Sequence, residues 1–320
     1  MHSARTIASW VEVLKPFGYS PLHPLSRGER PTTLIAVEND SHEPVVIKWL
    51  TGSAANATTT GEARLTQQMR HPFVVPVRTV HVTDESQLLV LQVAPRGDLF
   101  DYITRSANGC LSEREAKRLF SQLVVALEHI HSLGVVHKYD SQSHADTHWI
   151  GGANSPSVAR CSDVKPDNVF LDADCNVQLG DFGLSRRFAG VRRGGLHHRG
   201  LPARAGTLHY SAPETFVGQL VHGPELDVWS AGVVLYVMLC GVYPFWGTSD
   251  WFTKEKILSG TPSWPKSLPL EAIDLLTHML TKSPNHRATI AQVKGHPWLV
   301  AEMQAAESLC DARRESLAGC

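Results

Sequence analysis

Lys48 in VVIKWL, Glu62 in GEARLTQQMRHPF, DVKPDN at 163–168, DFG at 181–183 and APE at 212–214 set lysines, carboxylates and an amide in a fixed order along 320 residues. Any one of them alone would be an ordinary solvated side chain. As a set they have a chemistry. Carboxylate and amide oxygens are the ligands a hard divalent cation prefers, and ammonium groups neutralise phosphate oxygens. A carboxylate near a hydroxyl can also take its proton. Phosphoryl transfer is one reaction that uses all three, being mostly positioning and charge neutralisation.

The elements that must hold these side chains divide the chain unevenly. TLIAV (33–37), VVIKWL (45–50) and LLVLQV (88–93) are short β-branched or aliphatic runs between polar turns, and they predict strands. From residue 111 the period changes. Ser112 and Glu115 predict a capping box, and Ala116, Leu119, Phe120, Leu123, Leu127 and Ile130 recur at helical spacing until Gly134. DVWSAGVVLYVMLCG (227–241) is apolar on every side, which predicts a helix buried inside a helical lobe. The stretches least like packed structure are 139–162 and 189–206.

Order and spacing across these motifs are similar to those of eukaryotic-type protein kinases, over roughly residues 25 to 299. The resemblance implies an α+β, two-lobed protein-kinase fold: a β-rich lobe over 1–91, a hinge at 92–94, a helical lobe over 95–299 with an activation segment at 181–214, and a short tail over 300–320. It implies ATP and Mg2+ as cofactors and protein hydroxyls as acceptors. On that pattern Asp163 is the base, Lys165 neutralises the transferring phosphate, and Asn168 and Asp181 hold the metal. Lys48 grips the nucleotide phosphates and Glu62 pairs with it. Gly28, Val46, Gln92, Ala94 and Asp98 complete the nucleotide site, with Leu91 as gatekeeper. Asp227 resembles the aspartate that braces the catalytic loop, and Arg287 the arginine that pairs with Glu214. GDLFDYI (97–103) and HPW (296–298) resemble the calcium/calmodulin-dependent and AMP-activated Ser/Thr branch. In that branch, positions matching Asp98 and Asp167 face basic residues upstream of the target Ser/Thr.

Three stretches depart from the pattern. Counting back from Lys48 without a gap puts the glycine-rich loop on Ser26 to Pro31, where only the middle glycine, Gly28, survives. Pro31 removes a backbone donor there, so weakened ATP affinity is expected. An alternative alignment starts the loop at Gly18. Second, His137 and Lys138 match the opening of the base motif and Asp163 its third position, so the 24 residues 139–162 stand where the family has none. Closing such a loop costs only about 3 kcal/mol, so the fold tolerates it. Placement of the base is the sharper issue, because a shift of about 1 Å costs on the order of 100-fold in rate. Asp140 is a rival acid but lacks the following K-x-x-N. His144, Asp146 and His148 read as a solvated loop rather than a metal site, and the whole stretch could be a translated intron. Third, Arg186 to Gly206 contains six arginines and no Ser, Thr or Tyr, so activity independent of mid-loop phosphorylation is expected.

Composition narrows the remaining classes. A net charge of −1 gives no bulk attraction to nucleic acid or anionic lipid. No run approaches twenty apolar residues, and the N-terminus lacks a signal-like apolar segment, so neither a membrane partner nor secretion is expected. The six cysteines form no C-x-x-C pair, which suits a reducing cytoplasmic or nuclear setting. The competing reading is a catalytically silent kinase fold acting as scaffold or allosteric partner, favoured by the degraded loop and the interrupted motif. Against it, a scaffold has no chemical need for Lys48, Glu62, Asp163, Lys165, Asn168 and Asp181 together.

Overall fold

The computed structural model describes residues 7–25, 32–51, 66–83, 86–136, 164–182, 186–187, 208–217 and 223–318. Helix α1 (Ile7–Leu14) leads through a 3-10 turn into strands β1 (Tyr19–Pro24), β2 (Thr33–Glu38), β3 (Pro44–Thr51), β4 (Val77–Val82) and β5 (Ser86–Gln92). They form one antiparallel sheet in the order β1-β2-β3-β5-β4. Alternation along β3 decides what each face carries. Val45 and Ile47 are buried beneath Trp10, Leu14, Leu34 and Val90 on the α1 side. Val46 and Lys48 must therefore face the other way, where Leu50 and Leu89 pack with Val77, Val80 and Leu91.

The α1 side of this sheet was not foreseen from the sequence. Eight residues make a marginal helix in water. Here Trp10 is 2% exposed and meets Trp49 edge-on with ring centroids 5.3 Å apart, so tertiary burial holds the helix.

The larger lobe follows: α2 (Leu99–Thr104), α3 (Glu113–Ser132), β6 (Val135–Val136), β7 (Val169–Leu171), β8 (Val177–Leu179), β9 (Arg186–Arg187), α4 (Pro224–Cys240), α5 (Asp250–Ser259), α6 (Leu270–Met279), α7 (Ile290–Lys294) and α8 (Val300–Ala318). α4 is buried on every side from Leu226 to Met238, as its uniform apolarity requires. α3 starts where expected, with the Ser112 hydroxyl accepting from Glu115 N–H at 3.3 Å. The second half of the anticipated capping box is replaced, because the Glu115 carboxylate accepts the Tyr102 hydroxyl instead.

The stretch read as a short tail is the nineteen-residue helix α8, which returns across α3 to the junction of the lobes. Its Met303, Ala306 and Cys310 are buried, while Arg313 donates to Asp172 at 2.6 Å and Asp174 at 3.1 Å. Its mixed charge thus serves docking. Among the described residues no helix is long and apolar enough to cross a membrane.

His71 ties the small lobe to that helix. It is 5% exposed, its Nδ1 accepts from Phe73 N–H at 3.1 Å, and its Nε2 lies 3.2 Å from Cys310 Sγ. A ring that accepts at Nδ1 carries its proton at Nε2, so the imidazole is neutral and donates to sulfur. Burial, then the neighbouring His129 and Arg314, push its pKa down to about 3. The unfolded chain therefore binds this proton more readily than the folded one. The stability is complete above the ordinary imidazole range and is lost as pH falls from about 6.5 towards 3, by roughly 2–4 kcal/mol. In His71→Asn the amide oxygen can still accept from Phe73, so denaturant midpoints measured from pH 7 to pH 4 should fall less steeply than in wild type.

Candidate active site

Lys48 sits mid-strand in β3, opposite Thr33 of β2 and Leu89 of β5, on the sheet face turned away from α1. Its Nζ donates to Asp181 Oδ1 at 2.6 Å, with side chains 20% and 44% exposed. At that exposure the pair is worth no more than about 1 kcal/mol to stability. Its consequence is positional: a lysine from the small lobe and a carboxylate from the large one, 133 residues apart, share one point.

Asp181 is delivered by the β7–β8 hairpin. Asp172 Oδ1 accepts from the N–H groups of Asp174 and Asn176, which closes the turn. Buried Gln122 of α3 then clamps it, donating to Asn176 Oδ1 and accepting from Val177 N–H, both at 2.8 Å. β8 continues against the small lobe through Leu179 N–H to the Phe73 carbonyl and Val75 N–H to the Leu179 carbonyl. Gly180 N–H donates to the Asn168 carbonyl at 2.9 Å, which sets residue 181 beside the 3-10 turn Pro166–Asn168. Asp181 has φ +57°, a conformation in which an aspartate costs little more than an asparagine but most side chains are strained.

Gly180 is required by space. A Cβ there would stand 2.8 Å from both Phe170 Cε2 and Val75 Cγ2. Gly180→Ala should lower unfolding stability by about 1–3 kcal/mol through overpacking, read as a lowered thermal midpoint.

The other expected residues fall as follows. Asn168 is 5% exposed, and Lys165 caps the same 3-10 turn. Val46 pairs with Leu91, and Gln92 and Ala94 follow at the exit of β5, with Gln92 N–H held by the Pro76 carbonyl. Asp98 caps α2, accepting from Asp101 N–H at 2.8 Å. Burial, and then the charges of Asp101 and Asp167, raise its pKa above the usual carboxylate range. Gly28, Glu62 and Asp163 lie outside the described residues, as do 139–162 and most of 186–206. Gly18, the rival start for the glycine-rich loop, is at φ +80° ahead of β1, whereas 26–31 falls between β1 and β2.

Two supports were anticipated. Arg287 makes a two-pronged contact with Glu214, both distances 2.7 Å and both side chains essentially unexposed. Asp227, expected to brace the catalytic loop, is fully buried and bonds His131 Nε2 of α3 at 2.9 Å, while residues 137–163 of that loop lie outside the described residues. Missed by sequence reasoning were the Gln122 clamp and the docking of α8. A glutamine in the buried stripe of α3 was the one available signal for the clamp.

Residues 19–139 and 160–299 match the protein kinase domain family. The chain belongs to that family. The kinase-domain match breaks off at 139 and resumes at 160, so the unmatched residues 140–159 lie within the stretch 139–162 read as an insertion. The two-lobed kinase fold is the architecture described above. The kinase domain is 33% identical over 290 residues to sucrose non-fermenting protein kinase 1 of Fusarium virguliforme, covering 89% of this chain and 37% of that protein. It is 36% identical over 237 residues to the carbon catabolite-derepressing protein kinase of Secale cereale, covering 73% and 40%. With the human SNF-related serine/threonine-protein kinase identity is 31% over 280 residues, covering 86% and 32%. The chain thus spans between about a third and two fifths of the length of these relatives. Their names agree with the branch that GDLFDYI and HPW resemble.

Proposed function

We propose that this kinase domain is a Ser/Thr protein kinase, transferring the γ-phosphate of ATP to protein hydroxyls with Mg2+. The observation that carries the reading is the Lys48–Asp181 contact beside the Asn168 turn. The donor chemistry fits the cofactors: Asn168 and Asp181 offer hard oxygens, the ligand type of Mg2+, and Lys48 offers an ammonium for phosphate. When bound, Mg2+ and ATP supply the reactive phosphoryl group and neutralise its charge. On this reading Lys48 orients the phosphates, Asn168 and Asp181 hold the metal, and Lys165 faces the transferring group. Asp163 orients the acceptor hydroxyl and takes its proton. The family pattern assigns Val46, Leu91, Gln92 and Ala94 to the base, Gly28 to the phosphates and Glu62 to pairing with Lys48.

The acceptor side is acidic. Half-buried Asp98 feels the charge of exposed Asp167, so a cationic substrate residue would relieve it. This supports a preference for peptides with arginine upstream of the Ser/Thr. Asp98→Asn keeps an N-cap that α2 can use, so the double variant Asp98→Asn/Asp167→Asn should raise KM for an arginine-containing peptide about 10-fold while leaving an alanine-substituted peptide unchanged.

The deciding experiment is labelled γ-phosphate transfer by the full chain, by Asp163→Ala, and by a chain lacking 139–162. Activity abolished by Asp163→Ala supports the proposal. Activity only after the deletion assigns the inserted residues an inhibitory or artefactual role. No transfer from either intact or shortened chain, with nucleotide still bound, favours the silent kinase fold instead.

A further inference from the structure

On the opposite side of the hinge from Val46 and Lys48 lies a cavity of about 560 Å³, within the size range of small-molecule sites. Three parts of the molecule meet there. They are the small lobe around Glu43 and Arg78, the hinge at Gln92 and Val93, and the large lobe through the β7–β8 turn and α8.

Its walls combine apolar surface with polar side chains, among them the exposed Gln92 and Ser316. Pro44, Pro72, Pro76 and Pro95, with Val93, supply hydrocarbon surface, and none of the four prolines has an N–H to offer. Both guanidinium groups are already committed. Arg78 donates to Glu43 at 2.5 Å, and Arg313 is shared between Asp172 and Asp174. An anion would have to compete with those carboxylates, and the rim would repel it, since the Glu43 and Asp174 side chains are 57% and 78% exposed.

The decisive group is Gln178. It is 5% exposed, it lines the cavity, and its Oε1 has no hydrogen-bond partner. A buried acceptor left unpaired costs about 1–3 kcal/mol, which a donor from a bound molecule would recover once the amide turns towards it. Gln178 belongs to β8, the strand that delivers Asp181, so the position is held by the sheet rather than by a loop.

We propose that this cavity is a binding site for a small organic molecule with a compact apolar body and a cationic or neutral N–H donor, distinct from the nucleotide cleft. The apolar body lies against the prolines, the donor meets the Gln178 amide, and positive charge is favoured because the lining carboxylates Glu43, Asp172 and Asp174 outnumber the guanidinium groups of Arg78 and Arg313. The site does not depend on phosphotransfer.

Benzamidine, benzamide and benzoate present nearly one shape as cation, neutral amide and anion, and serve as probes. Titrated into the full chain and followed by amide chemical shifts, benzamidine should give saturable shifts at 92–93, 178 and 313–316 with millimolar affinity, as its size allows. Benzamide should bind more weakly than benzamidine, and benzoate at least about 10-fold more weakly. The benzamidine shifts should persist in saturating ADP. Ser316 is exposed, so Ser316→Trp can fill the cavity mouth without disturbing the fold, and should weaken benzamidine at least about 10-fold at an unchanged thermal midpoint. Gln178→Leu should weaken it as well. Equal or tighter binding of benzoate, displacement of benzamidine by ADP, or unchanged affinity in Ser316→Trp would each overturn the assignment.

Discussion

Asp181→Asn should lower phosphotransfer kcat by about 100- to 1000-fold while leaving the unfolding midpoint close to wild type, the scale of loss seen when one preorganised charge-stabilising group is removed. The two halves of this expectation come from different features of the same side chain. Stability changes little because the Lys48–Asp181 pair is partly solvated, its carboxylate 44% exposed, and such pairs contribute about 1 kcal/mol or less. The backbone is also spared, since asparagine tolerates φ +57° as readily as aspartate. Activity changes greatly because the amide keeps the shape but loses the charge that a hard cation requires. Lys48→Met is the companion: it should raise KM for ATP as well as lower kcat, since the ammonium would contact phosphate in both ground and transition states. The measurement is steady-state phosphotransfer alongside thermal unfolding of each variant. A kcat above about a tenth of wild type for Asp181→Asn would mean the chemistry is organised elsewhere.

That pair also shows how far the sequence could be read. The three strands expected around 33–37, 45–50 and 88–93 appear as β2, β3 and β5 because alternation and β-branching are local properties. The direction in which Lys48 points is equally local, since it follows once Val45 and Ile47 are buried. Its partner is not: the contact between 48 and 181 depends on how the β7–β8 hairpin is fastened, and that fastening runs through Gln122 of α3. Only the order of motifs in a known family connected those residues beforehand. Charge patterning was the least informative signal. AEMQAAESLCDARRESLAGC reads as a short tail of mixed charge, yet Met303, Ala306 and Cys310 fall on one buried stripe and Arg313 and Glu307 are tied to Asp172 and Lys294. A helix with so few apolar residues has no distinctive period of its own, and its partners are on α3, on the hairpin turn and at His71. For the same reason the hinge cavity, whose lining comes from both lobes and α8, has no linear signature.

Arg287→Leu should cost about 3–5 kcal/mol, the largest stability loss expected from any single change considered. Arg287 and Glu214 are 0% and 1% exposed, so removing the cation strands a carboxylate where water cannot reach it. The loss extends beyond the pair. The same guanidinium donates to the carbonyls of Glu225 at 2.7 Å, Thr281 at 3.0 Å and Lys282 at 3.3 Å, and lies 5.1 Å over the Trp229 ring. Against a typical total of 5–15 kcal/mol, such a change removes a large part of the folding free energy. Glu214→Gln separates the contributions: it keeps an acceptor for one prong and leaves the guanidinium without its counter-charge but still bonded to three carbonyls, so it should cost less than Arg287→Leu. The double variant Glu214→Gln/Arg287→Leu no longer buries a lone carboxylate, so its denaturant midpoint should lie above that of Arg287→Leu alone. It should still lie below wild type, because the three backbone carbonyls remain without their donor. A double variant as unstable as the sum of its parts would mean the two side chains act independently, and the 2.7 Å contacts would then be a consequence of the packing around α4 rather than a cause of it.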